Sequence, residues 1–278
     1  MNEILKTMED AAREAGGIIL SARGENLHVG NKSGRFNFVT VYDEKVQEFL
    51  FGYFREKFPE ARFLGEEEGA DTFVPGDEKG MLFVIDPIDG TTNFMHGMEP
   101  HVCSISLLMD GEPYASVIYC PGLDQMFSAV KGGGAFENGR PIHTTDAPLR
   151  ENVVLAGTSG FSVAASHITS DLCQEYALRC QGFRSLGSAE YNLCMVASGR
   201  MGAYFELRLN LWDYCAGALI VEEAGGQVVD WYGKRPSYRS ASAIVALGKG
   251  LVGDPDVPDA APYMDRWLQS LDNAPSSI

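Results

Sequence analysis

The most constraining feature of the chain is a pair of aspartates at the end of an apolar run. The run 81–85 predicts a buried strand, and Asp86 and Asp89 follow it with Pro87 between them. A Pro turn after Ile85 would hold both carboxylates near the carboxyl end of this strand, where open α/β sheets usually bind ligands. Carboxylate oxygens are typical ligands of hard cations such as Mg²⁺. The alternative is a strand followed by an Asx-stabilised turn with no ligand.

The residues that follow the aspartates predict an anion site. Gly90 is small, and Thr91, Thr92 and Asn93 all favour the N-cap position of a helix. We therefore expect a helix to begin here with free backbone N–H groups, an arrangement that binds phosphate. A metal site joined to an anion site indicates metal-assisted phosphoryl chemistry.

Composition limits the possible partners. The chain has 278 residues, of which 45% are hydrophobic, as expected of one large domain or of two intimate halves. Its 22 basic and 38 acidic residues give a formal net charge of -16, which predicts no binding to nucleic acid or to an anionic membrane. An acidic protein that handles an anionic substrate needs bound cations, although solubility alone also explains such a charge.

Other classes of site lack their motifs. The six cysteines form no Cys-x-x-Cys pair and are interpreted as reduced core residues. No signal peptide or membrane span is recognisable, so we expect a cytoplasmic protein. The five histidines have no zinc-ligand spacing, and there is no Gly-x-Ser-x-Gly motif, which disfavours zinc enzymes and serine hydrolases.

The first half of the chain predicts helices followed by an antiparallel sheet. Apolar residues recur at helical spacing from Ile4 until Gly24. Thr40 is suited to cap a second helix, which Pro59 ends. The range 102–119 has the pattern of a hairpin with its turn at Asp110-Gly111.

The second half predicts an α/β pattern. Short strands alternate with helical segments, and the strands are expected near 153–156, 203–207, 227–229 and 243–246. The change falls near Pro148, so we divide the chain into an α+β half, 1–147, and an α/β half, 148–278. The predicted fold class is therefore α/β.

Three further acidic positions are candidates for function. Glu66 and Glu67 follow a short apolar strand, where adjacent like charges repel unless a cation lies between them, although a solvated loop is the alternative. Asp213 follows Trp212 and opens a helical run over 214–226, where an Asp is most often a cap. Glu206 ends an apolar strand and is equally consistent with an exposed edge position.

Together these segments resemble the inositol monophosphatase family of Mg²⁺-dependent, lithium-sensitive phosphatases. The resemblance covers about residues 1–250 and rests on four motifs, which are Gly65-Glu66-Glu67, Asp86-Pro87-Ile88-Asp89-Gly90-Thr91-Thr92-Asn93, Trp212-Asp213 and Glu222-Glu223-Ala224-Gly225-Gly226. It implies a layered αβαβα sandwich of the inositol monophosphatase/fructose-1,6-bisphosphatase type. It also implies a homodimer.

The resemblance assigns roles to individual residues. The ligands implied for two or three Mg²⁺ ions are Glu66, Asp86, the backbone carbonyl of Ile88, Asp89 and Asp213. The residues implied in catalysis are Asp43 and Thr91, which position and deprotonate the attacking water, together with Glu66 and with Glu67 beside the first metal. The residues implied in substrate binding are Lys32 on a mobile loop, Asp89, Gly90, Thr91, Gly187, Ser188, Ala189, Glu206 and Asp213.

The implied reaction is direct hydrolysis of a small phosphate monoester without a covalent enzyme intermediate. Inositol monophosphate is the favoured substrate. The alternatives are fructose 1,6-bisphosphate or another small sugar phosphate, then histidinol phosphate and 3′-phosphoadenosine 5′-phosphate. Asn210 replaces the His of many inositol-specific members, and Glu190 stands near the predicted substrate wall, where a small residue is common. A non-catalytic scaffold is the alternative of a different class, but every implied metal ligand is intact.

Overall fold

The computed structural model describes residues 3–22, 24–25, 27, 29–31, 38–67, 79–157 and 162–272. The helices of these residues are α1 Glu3–Ser21, α2 Val41–Lys57, α3 Thr91–Met95, α4 Val163–Ala177, α5 Ala189–Ala197, α6 Cys215–Glu223 and α7 Ala261–Asp272. Short 3₁₀ turns occupy Leu149–Glu151, Leu211–Asp213 and Lys249–Leu251.

The strands are β1 Gly30–Asn31, β2 Phe38–Val39, β3 Arg62–Gly65, β4 Met81–Asp89, β5 Val102–Met109, β6 Glu112–Cys120, β7 Gln125–Val130, β8 Ala135–Glu137, β9 Arg140–Ile142, β10 Val153–Ala156, β11 Gly182–Arg184, β12 Ala203–Leu209, β13 Gln227–Val229 and β14 Ser242–Leu247. Apart from the β1–β2 pair, they form two sheets. The seven-stranded sheet has the order β3-β4-β5-β6-β7-β8-β9, and only its β3–β4 pair is parallel. The five-stranded sheet has the order β11-β10-β12-β14-β13, in which β10 is parallel to both neighbours and β14 is antiparallel to both.

These elements stack in five layers. Helices α1 and α2 cover the outer face of the seven-stranded sheet, and α4 and α7 cover the outer face of the five-stranded sheet. Helices α5 and α6 lie between the two sheets. The predicted α/β class and the implied αβαβα sandwich are therefore confirmed.

The position of each helix follows from its sequence. Helix α1 buries one apolar stripe, which comprises Leu5, Met8, Ala11, Ala12, Ala15 and Ile19. Every residue of α5 is buried, because sheets cover this helix on two sides. The middle layer therefore contains two polar residues of α5, Glu190 and Asn192, which lie away from solvent.

Most of the predicted elements are found, with one correction at the motif. Strand β4 does not turn after Ile85 but continues to Asp89. Asp86 still pairs with Ser104 of β5, and Asp89 pairs with Val102 after a register shift. The irregularity accommodates Pro87, which lacks the N–H that a regular ladder needs.

The division of the chain at residue 147 stays a prediction. The seven-stranded sheet ends at Ile142 and the five-stranded sheet begins at Val153, so the expected boundary lies between the sheets. Helices α5 and α6 of the second half nevertheless share a hydrophobic cluster with the first sheet. The two halves are therefore intimate.

Candidate active site

The end of β4 is joined to α3 by a glycine that no other residue replaces without strain. Gly90 has φ +93° and occupies the N-cap position of α3. A Cβ there would lie 3.1 Å from the carbonyl oxygen of Gly187 and 3.2 Å from that of Pro100. Both the positive φ and the crowding require glycine. The predicted helix start after the motif is thus present, with Gly90 as its cap and Asn93 inside the helix.

Asp89 places its carboxylate at the start of α5. Its Oδ2 accepts hydrogen bonds from the Ser188 hydroxyl and the Glu190 N–H, both at 2.7 Å, and its Oδ1 accepts one from the Ala189 N–H at 3.2 Å. Burial, with a smaller contribution from the charge of Glu66, raises the pKa of Asp89 to about 6 against the effect of these donors. A carboxylate has about four lone-pair sites, so Oδ1 retains one for a cation.

The side chains of Thr91, at the start of α3, and Asp43, at the start of α2, lie close together. The Thr91 hydroxyl lies 3.1 Å from the carbonyl oxygen of Ile88 and 3.4 Å from Oδ1 of Asp43. The other carboxylate oxygen of Asp43 accepts the Thr40 N–H at 2.7 Å and the Thr40 hydroxyl at 2.6 Å. One oxygen of Asp43 thus closes the capping box of α2 while the other lies towards Thr91.

Glu66 and Glu67 directly follow β3, and this segment contacts α2. The Glu66 N–H donates to the carbonyl oxygen of Ile85 at 3.3 Å, and the Glu67 N–H donates to Oε1 of the buried Gln47 at 3.1 Å. Gly65 lies against the same Gln47 side chain. Sequence reasoning missed Gln47, and its position in the buried stripe of α2 is the only signal that singles it out.

Asp213 ends the 3₁₀ turn that leads into α6. Its Oδ2 accepts a hydrogen bond from the Asn210 N–H at 2.7 Å. Burial raises its pKa well above the usual range, and the charges of Glu66 and Asp89 raise the pKa further. Three carboxylates from three separate segments therefore act on one another electrostatically.

Asp86 completes the set of predicted carboxylate ligands. Its side chain is buried, and Oδ1 accepts the Ile88 N–H at 3.0 Å. Among the described residues, no three His, Cys, Asp or Glu side chains already surround one point as metal ligands do. The donor set nevertheless fits Mg²⁺, because its atoms are all oxygens and a cation would relieve the mutual repulsion.

The residues expected to contact substrate lie around this group. Gly187 is exposed, with φ +79°, Ser188 caps α5, and Ser188 and Ala189 both donate hydrogen bonds to Asp89. Glu206 accepts a hydrogen bond from the buried Tyr204 hydroxyl, and burial raises the pKa of Glu206 to about 7. Substrate contact by any of them stays a prediction. Lys32 lies outside the described residues.

Two polar residues have positions that the sequence did not indicate. Asn93 donates at 2.7 Å to the carbonyl oxygens of both Pro100 and Leu186, which ties α3 to the segment before α5. Glu190, expected near the substrate wall, instead has a side chain with no solvent exposure in the middle layer. Its main chain lies beside Asp89, and its side chain is buried because both sheets cover the helix that carries it, so a role of Glu190 in specificity stays a prediction.

A cluster of carboxylates beside a glycine-initiated helix start defines a class of candidate phosphate-ester hydrolases. Residues 1–254 match the model of the inositol monophosphatase family, and the chain belongs to this family. The predicted class of enzyme, a phosphoric monoester hydrolase, is confirmed by this match and by the relatives described next.

Relatives and solved structures agree with the family assignment. The chain is 36% identical over 236 residues to inositol monophosphatase 3 of Solanum lycopersicum, covering 83% of this chain and 87% of that protein. It is 34% identical over 261 residues to the Nus factor SuhB of Pasteurella multocida, covering 91% and 94%. Its structure is similar to that of the Thermotoga maritima IMPase, with a TM-score of 0.83, 32% identity and coverage of 95% and 98%.

Two further features concern the cysteines and the helices. All six cysteines are free thiols, and four of them are buried. Within the part of the chain that the structure describes, no helix is both long and apolar enough to cross a bilayer.

Proposed function

We propose that the chain hydrolyses inositol monophosphate to inositol and phosphate, with Mg²⁺ as its cofactor. The observation that carries the proposal is that the charges of Asp89, Asp213 and Glu66, from three segments, act on one another next to the turn at Gly90. Family membership and relatives named as inositol monophosphatases support the same activity.

The metal would be held by oxygen ligands only. The proposed ligands are Glu66, Asp86, the carbonyl of Ile88, Asp89 and Asp213, and the side chains of Asp86 and Asp89 are fixed by hydrogen bonds to backbone N–H groups. Mg²⁺ bound there, as two or three ions, would polarise the phosphoryl oxygens, lower the pKa of a water molecule and stabilise the leaving alkoxide.

The chain's own groups position the phosphate and move the proton. The backbone N–H groups of Gly90 and Thr91 face the phosphate, because the first N–H groups of a helix have no intrahelical partner. The Thr91 hydroxyl, 3.4 Å from Oδ1 of Asp43, would accept the proton of the attacking water while its own proton passes to the Asp43 carboxylate. Thr40 holds Asp43 in this orientation through the capping box. Glu67 would lie beside the first metal, as the family resemblance implies.

We assign recognition of the alcohol part of the substrate to residues of the second half of the chain. Gly187, Ser188, Ala189 and Glu206 lie beside Asp89 or interact with it, and the exposed Asn210 replaces a His that many inositol-specific relatives carry. Inositol monophosphate is nevertheless proposed first, because the family match and the relatives named as inositol monophosphatases support it. Fructose 1,6-bisphosphate or another small sugar phosphate is the runner-up.

The second candidate is the non-catalytic binding role considered in the sequence analysis, and one relative carries a different name, Nus factor SuhB. The net charge of -16 disfavours direct contact with nucleic acid. A binding protein also has no need of the Asp43–Thr91 contact, which is the arrangement of a proton acceptor. We therefore place catalysis first.

We also propose an oligomeric state and a cellular location for the protein. A homodimer is implied by the family resemblance, and light scattering on the purified chain tests it. A cytoplasmic location is supported by the six free thiols, because cysteines stay reduced in that compartment.

The deciding experiment measures phosphate release from a panel of inositol, sugar and nucleotide monophosphates. We expect activity to require millimolar-order Mg²⁺, because such sites bind the ion only moderately. We also expect Li⁺ to inhibit by taking one metal position, as the family resemblance implies. Inositol monophosphate should give the highest kcat/KM. Full activity in excess chelator would contradict the metal proposal, and absence of turnover on every ester with Mg²⁺ would favour the binding role.

A further inference from the structure

Glu190 is a buried carboxylate in the middle layer, two residues after the cap of α5. Its side chain has no solvent exposure, so it contacts neither substrate nor bulk water. A buried carboxylate is costly unless hydrogen-bond donors surround it. The donors around Glu190 indicate what it does.

The side chain of Glu190 binds the start of α6. Oε2 accepts the Gly217 N–H at 2.6 Å, and Oε1 accepts the Ala216 N–H at 3.2 Å. Oε1 also accepts the Ser104 hydroxyl at 3.1 Å. The first N–H groups of a helix have no intrahelical partner, and their partial positive charge stabilises a carboxylate.

The main chain of Glu190 binds a proposed metal ligand. Its N–H donates to Oδ2 of Asp89 at 2.7 Å. Helix α6, which the side chain holds, begins at Cys215, directly after Asp213 and Tyr214. One residue therefore contacts Asp89 itself and the helix that follows Asp213.

Helices α5 and α6 pack closely against each other at Gly217. A Cβ on Gly217 would lie 2.5 Å from Oε2 of Glu190 and 2.5 Å from Cβ of Leu193, so glycine is needed for α6 to approach α5 this closely. The starts of α5 and α6 are thus joined at short range through one carboxylate.

We propose that Glu190 is a positioning residue that fixes Asp89 and Asp213 relative to each other and thereby sets the affinity for the divalent cation. The inference rests on the proposed metal-dependent function. Removal of a group that orients a metal ligand typically lowers metal affinity or activity 10- to 100-fold. Glu190 differs from such groups only in acting through a helix as well as through a direct hydrogen bond.

The test compares Glu190→Gln with the matched control Glu223→Gln. Glu223 lies at the other end of α6, and its carboxylate accepts the N–H groups of Gly132 at 2.7 Å and Gly134 at 2.9 Å. Both variants lose one carboxylate that binds two backbone amides. Only Glu190 lies between proposed metal ligands.

Mg²⁺ binding to the full-length chain is measured by titration calorimetry without substrate, and melting temperature is recorded in chelator. We expect Glu190→Gln to weaken Mg²⁺ binding about 10- to 100-fold. The Mg²⁺ concentration for half-maximal activity should rise in parallel, whereas KM at saturating Mg²⁺ should change less than threefold, on the order of 0.6 kcal/mol or less. Glu223→Gln should keep the wild-type Mg²⁺ affinity, even where it lowers the melting temperature.

Glu190→Asp is the second variant, and it decides the question where Glu190→Gln does not fold. It keeps the charge but is one methylene shorter, so it should bind Mg²⁺ with intermediate affinity. Wild-type Mg²⁺ affinity in the folded Glu190 variants would overturn the inference and leave the proposed function intact. Absence of Mg²⁺ binding to the wild-type chain would overturn the metal site and, with it, the inference.

Discussion

The hydroxyl oxygen of Thr91 lies 3.4 Å from Oδ1 of Asp43, although the two residues are 48 positions apart in the chain. Each belongs to the first turn of a helix, Thr91 in α3 and Asp43 in α2. The second oxygen of Asp43 is held by Thr40. A capping box, which usually only stabilises a helix end, here also orients a carboxylate towards the candidate active site.

Asp43→Asn should lower kcat about 10²- to 10⁴-fold while leaving the fold intact. The amide oxygen can take the position of Oδ2 and accept the Thr40 bonds, so the cap of α2 persists. The amide nitrogen then faces Thr91 and cannot accept a proton. Initial rates at saturating substrate and Mg²⁺ measure the loss, and circular dichroism checks the fold.

The control is Glu44→Gln, which changes an exposed acid in the same helical turn and should alter kcat less than about twofold.

Thr91→Ala should lower kcat by about as much as Asp43→Asn does, on every ester tested. The double variant should lose little more than either single variant, because the two groups act as a unit. Additive losses would contradict the pairing of Thr91 with Asp43.

Asp89→Asn should abolish Mg²⁺-dependent turnover without unfolding the protein. The amide loses the charge that a hard cation requires, and one of the donors around Asp89 loses its acceptor. Removing one charge from the group that includes Glu66 and Asp213 relieves repulsion, so the melting temperature in chelator should stay level or rise. Differential scanning fluorimetry with and without Mg²⁺ measures both effects. Near wild-type activity would contradict the metal assignment.

The local parts of the site could be predicted from the sequence, and the long-range parts could not. Asp86, Asp89 and Gly90 lie within five consecutive positions of the chain, so one motif reveals them together. The donors to Asp89 come from Ser188, Ala189 and Glu190, 99, 100 and 101 positions away, and only the packing of α5 between two sheets brings them to the carboxylate. No local pattern encodes that contact.

The fold shows the same division between local and long-range information. The caps and turns that begin and end α1, α2 and the β5–β6 hairpin are local, and these elements were predicted with nearly correct bounds. The extension of β4 past Pro87 depends on its pairing with β5, which a single segment does not reveal. The order of the layers came from the family resemblance.

Glu206→Gln should mainly raise KM for inositol monophosphate and should affect a plain aryl phosphate less. The premise is that Glu206 binds a substrate hydroxyl, so the lost interaction is to the leaving group and not to the phosphate. Steady-state kinetics on both esters, at saturating Mg²⁺, measure the two KM values. Equal changes in kcat and KM on the two esters would contradict a role in recognition.

The same variant has a pH-dependent effect on stability in chelator. Burial raises the pKa of Glu206 from 4.5 to about 7, so between these values the folded state keeps a proton that the unfolded state loses. Stability due to this group therefore falls as pH rises through that window and stays low above it. Glu206→Gln should melt near the wild-type temperature at pH 4 and above it at pH 8. A difference that does not change with pH would contradict the raised pKa.

Gly65→Ala should destabilise the protein by about 1–3 kcal/mol and lower its activity. The added Cβ would lie 2.0 Å from Oε1 of Gln47, the atom that accepts the Glu67 N–H, so either the buried Gln47 side chain or the segment carrying Glu66 and Glu67 must shift. Urea unfolding and steady-state rates measure the two effects. Gly52→Ala is the matched control, because its Cβ would meet nothing within 4 Å and helix α2 should gain about 0.5–1 kcal/mol. A Gly65→Ala variant as stable and active as the wild type would show that Gln47 does not hold this segment in place.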